Sequence, residues 1–181
     1  MASAIHVKNC DTEMTAEEYG ELPRNPVSVI LDNLRSAYNV GSIFRTSDAA
    51  ALQSVCPCGY TVCPPSPKLA KTAMGAECFM AWEHFDRTIS GVQEFKRRGY
   101  HVAALETCDC SEDYSKRHYD FPLCLVVGNE ALGVSSGVLK EADSIIKIPQ
   151  MGYKNSLNVS VAFGIVVFEI VNQFKKRENN V

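Results

Sequence analysis

Residues 144–171, SIIKIPQMGYKNSLNVSVAFGIVVFEIV, decide the fold. The stretch opens with an apolar run that ends at Pro149, which is typical of a buried strand followed by a turn. A polar loop with Gly152 comes next, and Ser156 is the predicted N-cap of a long helix. Apolar residues then recur at three- and four-residue spacing, at Val159, Ala162, Phe163, Val166, Val167, Ile170 and Phe174. A helix that is apolar on nearly all sides is buried against more than one surface, often that of another subunit.

A membrane span is the main alternative for this helix. Polar residues, including Asn158 and Glu169, interrupt the apolar sequence, and no uncharged run reaches the roughly 18 residues that a span needs. Asn158 is also a poor choice for a helix interior unless its amide has a specific contact. A strand end, a glycine-bearing loop and a helix N-terminus together form a ligand-binding arrangement in open α/β sheets. The stretch therefore predicts a binding site and no membrane partner.

Size and composition indicate a single globular domain. The chain has 181 residues, of which 46% are hydrophobic and 22% charged. The net charge is −3, so no overall positive field attracts nucleic acid, and an RNA partner would have to use local basic groups. Such groups occur at 68–71, 96–98, 116–118 and 175–177. Each of them is equally compatible with an ordinary solvated surface.

The N-terminus lacks the pattern of a signal peptide, so we expect a cytoplasmic protein. Eight cysteines are present, and two pairs, Cys56/Cys58 and Cys108/Cys110, have one intervening residue rather than the two to four that are typical of zinc sites. We therefore expect reduced thiols and no metal. Residues 1–24 are predicted to form a leader whose short helix starts at the capping box of Thr15 to Glu18.

Residues 25–181 are predicted to form one α/β domain with a mostly parallel sheet, because strands and helices alternate. The expected strands are 27–31, 54–56, 79–82, 100–106, 123–130 and 145–148. One expected helix begins near Asn39, and residues 68–77 form either a short helix or an ordered loop. Three further helices are expected, one capped by Thr88, one after Val134 and one after Ser156. The run from Leu123 is continuously apolar, which predicts a central strand.

Two further polar stretches follow predicted strands. The first contains Asn39, Gly41 and Arg45, with Asn39 placed on the loop before the helix; a glycine in the first helical turn costs stability and indicates close packing or close ligand approach. The second contains Gly128 and Glu130, where the glycine would let a ligand approach the backbone. Each motif taken alone also has an ordinary structural explanation. Arg45 could be a surface arginine, and Glu130 could be a carboxylate that complements a helix dipole.

Taken together, the stretches around Asn39, Gly128 and Ser156, in this order over residues 27–171, resemble the three motifs of the SpoU (TrmH-like) branch of the SPOUT RNA methyltransferases. Residues 72–76, TAMGA, resemble a further stretch of that family. The resemblance implies a SPOUT α/β-knot fold, with a mostly parallel sheet flanked by helices and a C-terminal trefoil knot. It also implies S-adenosylmethionine as the cofactor and a homodimer whose second subunit helps to complete the site.

The resemblance also assigns residues. Cofactor-binding residues would be Leu105, Gly128, Ile148, Met151, Ser156 and Leu157, and catalytic residues would be Asn39, Arg45, Glu130 and Asn158. The implied reaction is methyl transfer to a ribose 2′-hydroxyl of RNA, with tRNA favoured over rRNA. Whether Arg45 is a base or an electrostatic stabiliser stays open, although a guanidinium ordinarily remains protonated.

Two other functions are compatible with the sequence. One is a non-catalytic RNA-binding or assembly protein on the same fold, which the acidic composition favours and the intact polar motifs disfavour. The other is a different nucleotide-binding α/β enzyme, but no GxGxxG follows the first strand and no P-loop occurs.

Overall fold

The computed structural model describes residues 11–179, in which strands and helices alternate. The strands are β1 (Asn25–Asp32), β2 (Leu52–Cys58), β3 (His101–Leu105), β4 (Glu112–Asp113), β5 (Leu123–Val127) and β6 (Ser144–Lys147). The helices are α1 (Ala16–Gly20), α2 (Ala37–Ala49), α3 (Pro67–Ala73), α4 (Thr88–Arg97), α5 (Ser136–Glu141) and α6 (Val159–Glu178), with a 3₁₀ turn at Ala76–Cys78.

The six strands form one sheet in the order β2-β1-β5-β3-β6-β4, and every neighbouring pair is parallel. All residues of β5 are buried between β1 and β3, as its apolar sequence predicts. The expected α/β class with a parallel sheet is confirmed. The trefoil knot implied by the resemblance stays a prediction.

Two hydrophobic layers cover the faces of the sheet. Successive residues of β1 alternate between them, so Val29 and Leu31 belong to one layer and Ile30 to the other. The first layer contains buried side chains of α2 and α6, and the second contains those of α4 and α5. Burial of each large aliphatic or aromatic side chain contributes about 1.5–3 kcal/mol, so both helical layers are held firmly to the sheet.

Gly41 explains how α2 packs on α3. A Cβ atom at this position would lie 2.2 Å from the Thr72 hydroxyl and 2.3 Å from the Leu69 carbonyl oxygen. Thr72 in turn donates a hydrogen bond to the Tyr38 carbonyl. The glycine that the sequence marks as unusual is therefore required by helix packing rather than by a ligand.

Helix α1 begins as predicted. Thr15 and Glu18 form the reciprocal capping box, and the Tyr19 hydroxyl donates to Asp48 at 2.6 Å, which ties α1 to α2. The rest of the predicted leader is only partly covered, because residues 1–10 lie outside the described residues. The division of the chain at residue 24 therefore stays a prediction.

One predicted strand and two predicted helix starts are wrong. Residues 79–82 form no strand, because only one bridge, between Val55 and Trp82, joins them to β2. Thr88 is not an N-cap: the cap is Arg87, and the Thr88 hydroxyl instead donates to the buried Asp32 carboxylate at 2.5 Å. Helix α2 begins at Ala37, so Asn39 lies in its first turn and not on the preceding loop.

The start of α6 is also corrected. Its N-cap is Asn158, whose side-chain oxygen accepts hydrogen bonds from the N–H groups of Ser160 and Val161. Ser156 lies two residues earlier, in the loop. The outward face of α6 carries an apolar stripe of exposed side chains, Leu157 just before the helix and then Val161, Ile165 and Phe168. Within residues 11–179, none of the helices combines the length and apolarity that a membrane crossing requires.

Candidate active site

A cavity of about 700 Å³ lies at the carboxyl ends of the central strands. Its wall is formed by the segments that follow β3, β5 and β6, together with the start of α6. Five of the six predicted cofactor-binding residues line it: Leu105, Gly128, Ile148, Ser156 and Leu157. Met151 does not line the cavity, and its side chain is 97% exposed.

A chain of side-chain hydrogen bonds joins the three motifs at the rim of this cavity. The Asn158 amide donates to the Asn39 side-chain oxygen at 3.1 Å. The Asn39 amide then donates to the Glu130 carboxylate at 2.9 Å. These contacts connect residues that are 119 and 91 positions apart in the sequence. The fold therefore brings together three of the four predicted catalytic side chains.

Glu130 belongs to the loop between β5 and α5, outside the first turn of α5, and its carboxylate contacts the start of α2. Its two oxygens accept the backbone N–H groups of Arg35 and Ser36, at 3.0 and 3.1 Å, in addition to the Asn39 amide. Burial alone would raise the pKa of Glu130, but these donors together hold it below its ordinary value. The carboxylate is consequently ionised at neutral pH and fixes the beginning of α2 against the loop after β5.

Gly128 is required by the chain's own backbone. A Cβ atom there would lie 2.2 Å from the Val134 nitrogen, because residues 133–134 fold back onto the end of β5. Backbone packing is thus a sufficient reason for this glycine, and the expectation that it lets a ligand approach the backbone stays a prediction. The tight loop has left-handed Gly133 at its end, where a Cβ atom would also meet the carboxylate of Glu106.

Glu106 is a residue of the cavity wall that sequence reasoning missed. It directly follows β3, and its carboxylate accepts the N–H of Val134 at 2.8 Å and of Thr107 at 2.9 Å. An acidic residue at the carboxyl end of a predicted parallel strand was the available signal. Glu106 thus joins the segments after β3 and β5 and presents a carboxylate to the cavity.

Asn129 holds the loop between the two glycines. Its side-chain oxygen accepts the N–H groups of Ala131 and Leu132, and its amide donates to the Asn33 carbonyl at 2.6 Å. Farther along, the Ser135 N–H donates to Asp32 at 2.8 Å. The loop after β5 is therefore fastened to the end of β1 at two points.

Arg45 is not at this cavity. It lies on α2 six residues after Asn39, which places it about 9 Å farther along the helix and about 120° around its axis. The side chain is exposed, and no polar partner contacts it among residues 11–179. The fourth predicted catalytic residue is thus separated from the other three within one chain.

The charges on the cavity wall are of one sign. Two carboxylates, Glu106 and Glu130, line it, and no Lys, Arg or His does so in the described part of the chain. Leucine, isoleucine and valine side chains supply the apolar part of the wall, and Gln150, Asn155 and Ser156 supply neutral polar groups. Such a wall favours a ligand with positive charge and disfavours one that is rich in phosphate.

The described cysteines are free thiols. Burial raises the pKa of the Cys124 thiol. The sulfurs of Cys108 and Cys110 lie 3.3 Å apart, and Cys108 lines the cavity. Over residues 11–179, no three His, Cys, Asp or Glu side chains are arranged to hold a metal ion. Cys10 lies outside the described residues.

Solved structures with the same architecture define the class. A TrmH/SpoU tRNA modifying enzyme from A. aeolicus is 30% identical with a TM-score of 0.80, over 90% of this chain and 82% of that one. An AdoMet-bound rRNA methyltransferase from Sinorhizobium meliloti is 31% identical with a TM-score of 0.76, over 81% of this chain and 56% of that one. The parallel sheet and the cavity at its carboxyl edge therefore belong to the SPOUT methyltransferase fold.

The sequence identifies the family. Residues 26–168 match the model of the SpoU rRNA Methylase family, and the chain belongs to that family. A protein from Staphylococcus haemolyticus, provisionally named a TrmH family tRNA/rRNA methyltransferase, is 36% identical over 149 residues. That alignment covers 82% of this chain and 58% of the relative, so the chain spans little more than half the length of this relative.

Proposed function

We propose that the protein transfers a methyl group from S-adenosylmethionine to a ribose 2′-hydroxyl of RNA. The observation that carries the proposal is the hydrogen-bond chain from Asn158 through Asn39 to Glu130. It joins three family motifs beside a cavity large enough for a small organic ligand, for which volumes of about 300–1,000 Å³ are usual. Membership of the SpoU family supports the same reaction.

The cavity fits S-adenosylmethionine in its chemistry. This cofactor carries a positive sulfonium, and the wall offers two carboxylates and no basic side chain among the described residues. The Sinorhizobium meliloti enzyme, with a similar fold, binds AdoMet, which is the same molecule. A nucleotide rich in phosphate would lack cationic partners on this wall, so the alternative of another nucleotide-binding enzyme is less well supported.

The proposed roles of the wall residues follow from their chemistry. Leu105, Ile148 and Leu157 pack on the apolar parts of the cofactor, and backbone groups near Gly128 and Ser156 hydrogen-bond its polar parts. Met151 is omitted, since its side chain points into solvent. S-adenosylmethionine supplies an already activated methyl group, so the protein has to align the acceptor oxygen and help its proton to leave.

The polar residues at the rim would position the substrate. Asn39 and Asn158, fixed by Glu130, offer amide groups near the cavity, and either can orient a ribose. A guanidinium group is a poor general base. We therefore assign Arg45 to holding a phosphate of the substrate or stabilising the developing alkoxide, rather than to removing the proton.

A homodimer would bring Arg45 to the site. Arg45 lies away from the cavity of its own chain, and the exposed apolar stripe on α6, from Leu157 to Phe168, is suited to a second copy. In this proposal the partner subunit's α2 carries its arginine to the cavity. Sedimentation of the wild-type protein should then show a dimer, and sedimentation of Ile165→Asp should show a monomer.

The test of the reaction is methyl transfer from radiolabelled S-adenosylmethionine to total tRNA and total rRNA, followed by digestion to nucleosides. We expect labelled 2′-O-methylnucleosides. Label on a base instead of a ribose would refute the ribose assignment. A folded dimer that neither binds the cofactor in calorimetry nor transfers label would instead favour the non-catalytic RNA-binding alternative.

Variants separate the proposed roles. Arg45→Ala should abolish turnover and leave cofactor affinity nearly unchanged, whereas Glu106→Lys should abolish cofactor binding by placing a cation against the sulfonium. Mixing the two inactive variants should restore part of the turnover, because the heterodimer combines one intact cavity with the partner's intact Arg45. If the mixture stays inactive although heterodimers form, Arg45 acts within its own chain or not at all.

Transfer RNA is the favoured substrate. The A. aeolicus relative, which aligns over most of its own length, is a tRNA modifying enzyme, while the name of the Staphylococcus haemolyticus relative includes both tRNA and rRNA. Either substrate fits the cytoplasmic location expected from the sequence. Mapping the ribose methylations that are lost when the gene is deleted would identify the RNA and the nucleotide.

A further inference from the structure

A second cavity, of about 240 Å³, lies beside the first. The two cavities share Asn129, Leu132 and Gly133, so the loop after β5 forms the wall between them. The outer wall of the second cavity includes Tyr60 and Asn33, which follow β2 and β1. None of the proposed catalytic residues lines it.

The cavity exposes two apolar side chains, which belong to Tyr60 and Leu132. Tyr60 is 61% exposed and Leu132 is 83% exposed. Asn129 donates a hydrogen bond to the Tyr60 hydroxyl at 2.8 Å and also accepts the N–H of Leu132 at 3.0 Å. One buried asparagine therefore holds the Tyr60 side chain and the Leu132 backbone, while the aromatic ring and the leucine side chain stay open to solvent.

The turn that carries Tyr60 is rigid as well. Gly59 has a left-handed φ of +61° and packs on the Asn33 side chain, where a Cβ atom would clash at 2.0 Å. The His84 ring contacts the Gly59 carbonyl at 3.0 Å. The position of the ring is thus set by the fold before any ligand arrives, which lowers the entropic cost of binding to it.

Two arginines without polar partners in the described part of the chain are close in sequence to residues that line this cavity or bond to it. Five arginines of the chain have polar partners for their side chains, at positions 24, 97, 98, 117 and 177. Among residues 11–179, Arg35, Arg45 and Arg87 have none. Arg35 is two residues from Asn33, which lines the cavity, and Arg87 precedes Thr88, whose hydroxyl bonds the cavity residue Asp32. Free guanidinium groups in a protein of net charge −3 provide local attraction for an anion.

The polar groups of the cavity are mostly used within the protein. Both oxygens of Asp32 accept hydrogen bonds, from Thr88 and Asn33 on one side and Ser135 on the other, and the Asn129 amide has two acceptors. A flat apolar ligand would therefore be bound chiefly by stacking. An exposed aromatic ring next to arginines is the usual arrangement for a single-stranded nucleotide, whose base stacks while its phosphate is neutralised.

We infer that the second cavity binds one unpaired base of the RNA substrate, stacked on Tyr60 and Leu132, with Arg35 and Arg87 on its phosphates. This inference rests on the proposed function. The shared wall places the bound nucleotide next to the methyl donor, so the base is that of the target nucleotide or its direct neighbour. Stacking tolerates every base, so this site orients the RNA without selecting its sequence.

The test compares Tyr60→Ala with Tyr60→Phe, using fluorescein-labelled bulk tRNA as the probe in the presence of S-adenosylhomocysteine. Tyr60→Ala should weaken binding by roughly 5- to 150-fold, the range that corresponds to the loss of one stacked base. Phenylalanine should restore most of the affinity, because it keeps the ring and loses only the hydroxyl. Equal losses in the two variants would assign Tyr60 to supporting Asn129 and would overturn the inference.

The arginines have a separate readout. The slope of log affinity against log salt should fall by about 0.7 for each of Arg35 and Arg87 replaced by alanine. Arg97→Ala is the matched control, because Arg97 is exposed but already paired with Glu94, and its slope should not change. An unchanged slope in the Arg35→Ala/Arg87→Ala protein would remove the phosphate contacts from the inference.

The outcomes distinguish this inference from the proposed function. Wild-type protein that transfers methyl groups to RNA, together with a Tyr60→Ala variant that binds RNA equally well, would refute only the base site. Wild-type protein that binds neither RNA nor cofactor would refute the proposed function and the base site together. Cofactor affinity of Tyr60→Ala, measured by calorimetry, should match the wild type, which shows that the neighbouring cavity is intact.

Discussion

Replacing Asn39 by aspartate tests the hydrogen-bond chain that joins the three motifs. The Asn39 amide nitrogen lies 2.9 Å from a Glu130 oxygen, so the substitution sets two carboxylates at about the same separation. The amide donor to Glu130 is lost, while the oxygen that accepts from Asn158 is kept. The change is therefore confined to one contact.

The expected cost follows from two terms. Two like charges about 4 Å apart repel by about 1 kcal/mol in water and about 4 kcal/mol at an effective dielectric constant of about 20. Because Glu130 is exposed, we expect about 2 kcal/mol from repulsion and about 1 kcal/mol from the lost hydrogen bond. The helix dipole favours an acid in the first turn of α2 by only about 0.5 kcal/mol. The net loss should be about 2.5 kcal/mol.

Urea unfolding at neutral pH measures this loss. With a slope of about 2 kcal/mol per molar, the midpoint of Asn39→Asp should fall by roughly 1.2 M. The deficit should shrink as the pH is lowered, because repulsion raises the pKa of the carboxyl pair and protonation of one member restores a donor. Low salt should enlarge the effect, since salt screens an exposed pair.

The double variant Asn39→Asp/Glu130→Gln supplies the control. It exchanges the amide and the carboxylate, so a donor again faces an acceptor across the contact, and the double variant should be more stable than Asn39→Asp alone. An Asn39→Asp midpoint equal to that of the wild type would refute the contact. So would strictly additive effects of the two substitutions, since residues in direct contact are expected to couple.

Three further predictions concern stability. Gly41→Ala should destabilise the protein by about 1–3 kcal/mol in urea unfolding, because its methyl group would overlap the Thr72 hydroxyl. Gly128→Ala should cost a similar amount, about 1–3 kcal/mol, and should abolish cofactor binding in calorimetry, since the loop at Val134 must move. The pKa of Glu130 is lowered in the folded protein, so the ionised carboxylate adds stability relative to Glu130→Gln at neutral pH. This added stability should decline as the pH falls below 4.5, the ordinary pKa of the carboxyl group, and be lost below its folded-state pKa. Measuring the unfolding free energy of both proteins against pH tests this.

Gly137→Ala is the matched control for both glycine variants. It lies in α5, and a Cβ atom there meets nothing within 4 Å. Alanine should be neutral or stabilising by up to about 1 kcal/mol, because glycine is a poor helix former. Destabilisation of this variant, or unchanged stability of Gly41→Ala, would contradict the packing argument.

The sequence predicted the parallel sheet well because its signals are local. The apolar run of β5 and the alternation of strands with helices are visible without tertiary information, and both are present in the structure. The predicted strand at 79–82 failed for the opposite reason. Its residues favour strands by composition, but they meet β2 only through the isolated bridge of Trp82 with Val55, and the next bridge to β2 lies beyond them at Phe85. Whether such a segment joins the sheet is decided at the sheet edge and not by its own sequence.

Competing local choices account for the misplaced caps. Ser156 and Asn158 are both good N-cap residues, and the contact of Asn158 with Asn39, which lies far away in the sequence, coincides with the cap that is used. Thr88 would cap a helix well, yet its hydroxyl binds buried Asp32 instead. Such alternatives differ little in local energy, so a single distant partner can decide between them.

The family resemblance predicted some residues of the candidate site, and others are evident only from the three-dimensional structure. The motifs identified Asn39, Glu130 and Asn158, which the fold joins, but the role of Glu106 and the exposure of Met151 depend on the path of the loops. The separation of Arg45 from the cavity depends on its angle around α2. Helical geometry could have predicted that angle once the start of the helix was known.

The bond between Asn158 and Asn39 has a consequence for biosynthesis. Residues 155–162 provide one side of the cavity, so a nascent chain that still holds them inside the ribosome has no enclosed binding site. Synthesis runs from the N-terminus, and domains tend to fold as units during it. The proposed ability to hold S-adenosylmethionine should therefore appear abruptly, when α6 emerges, and shorter nascent chains should not bind it.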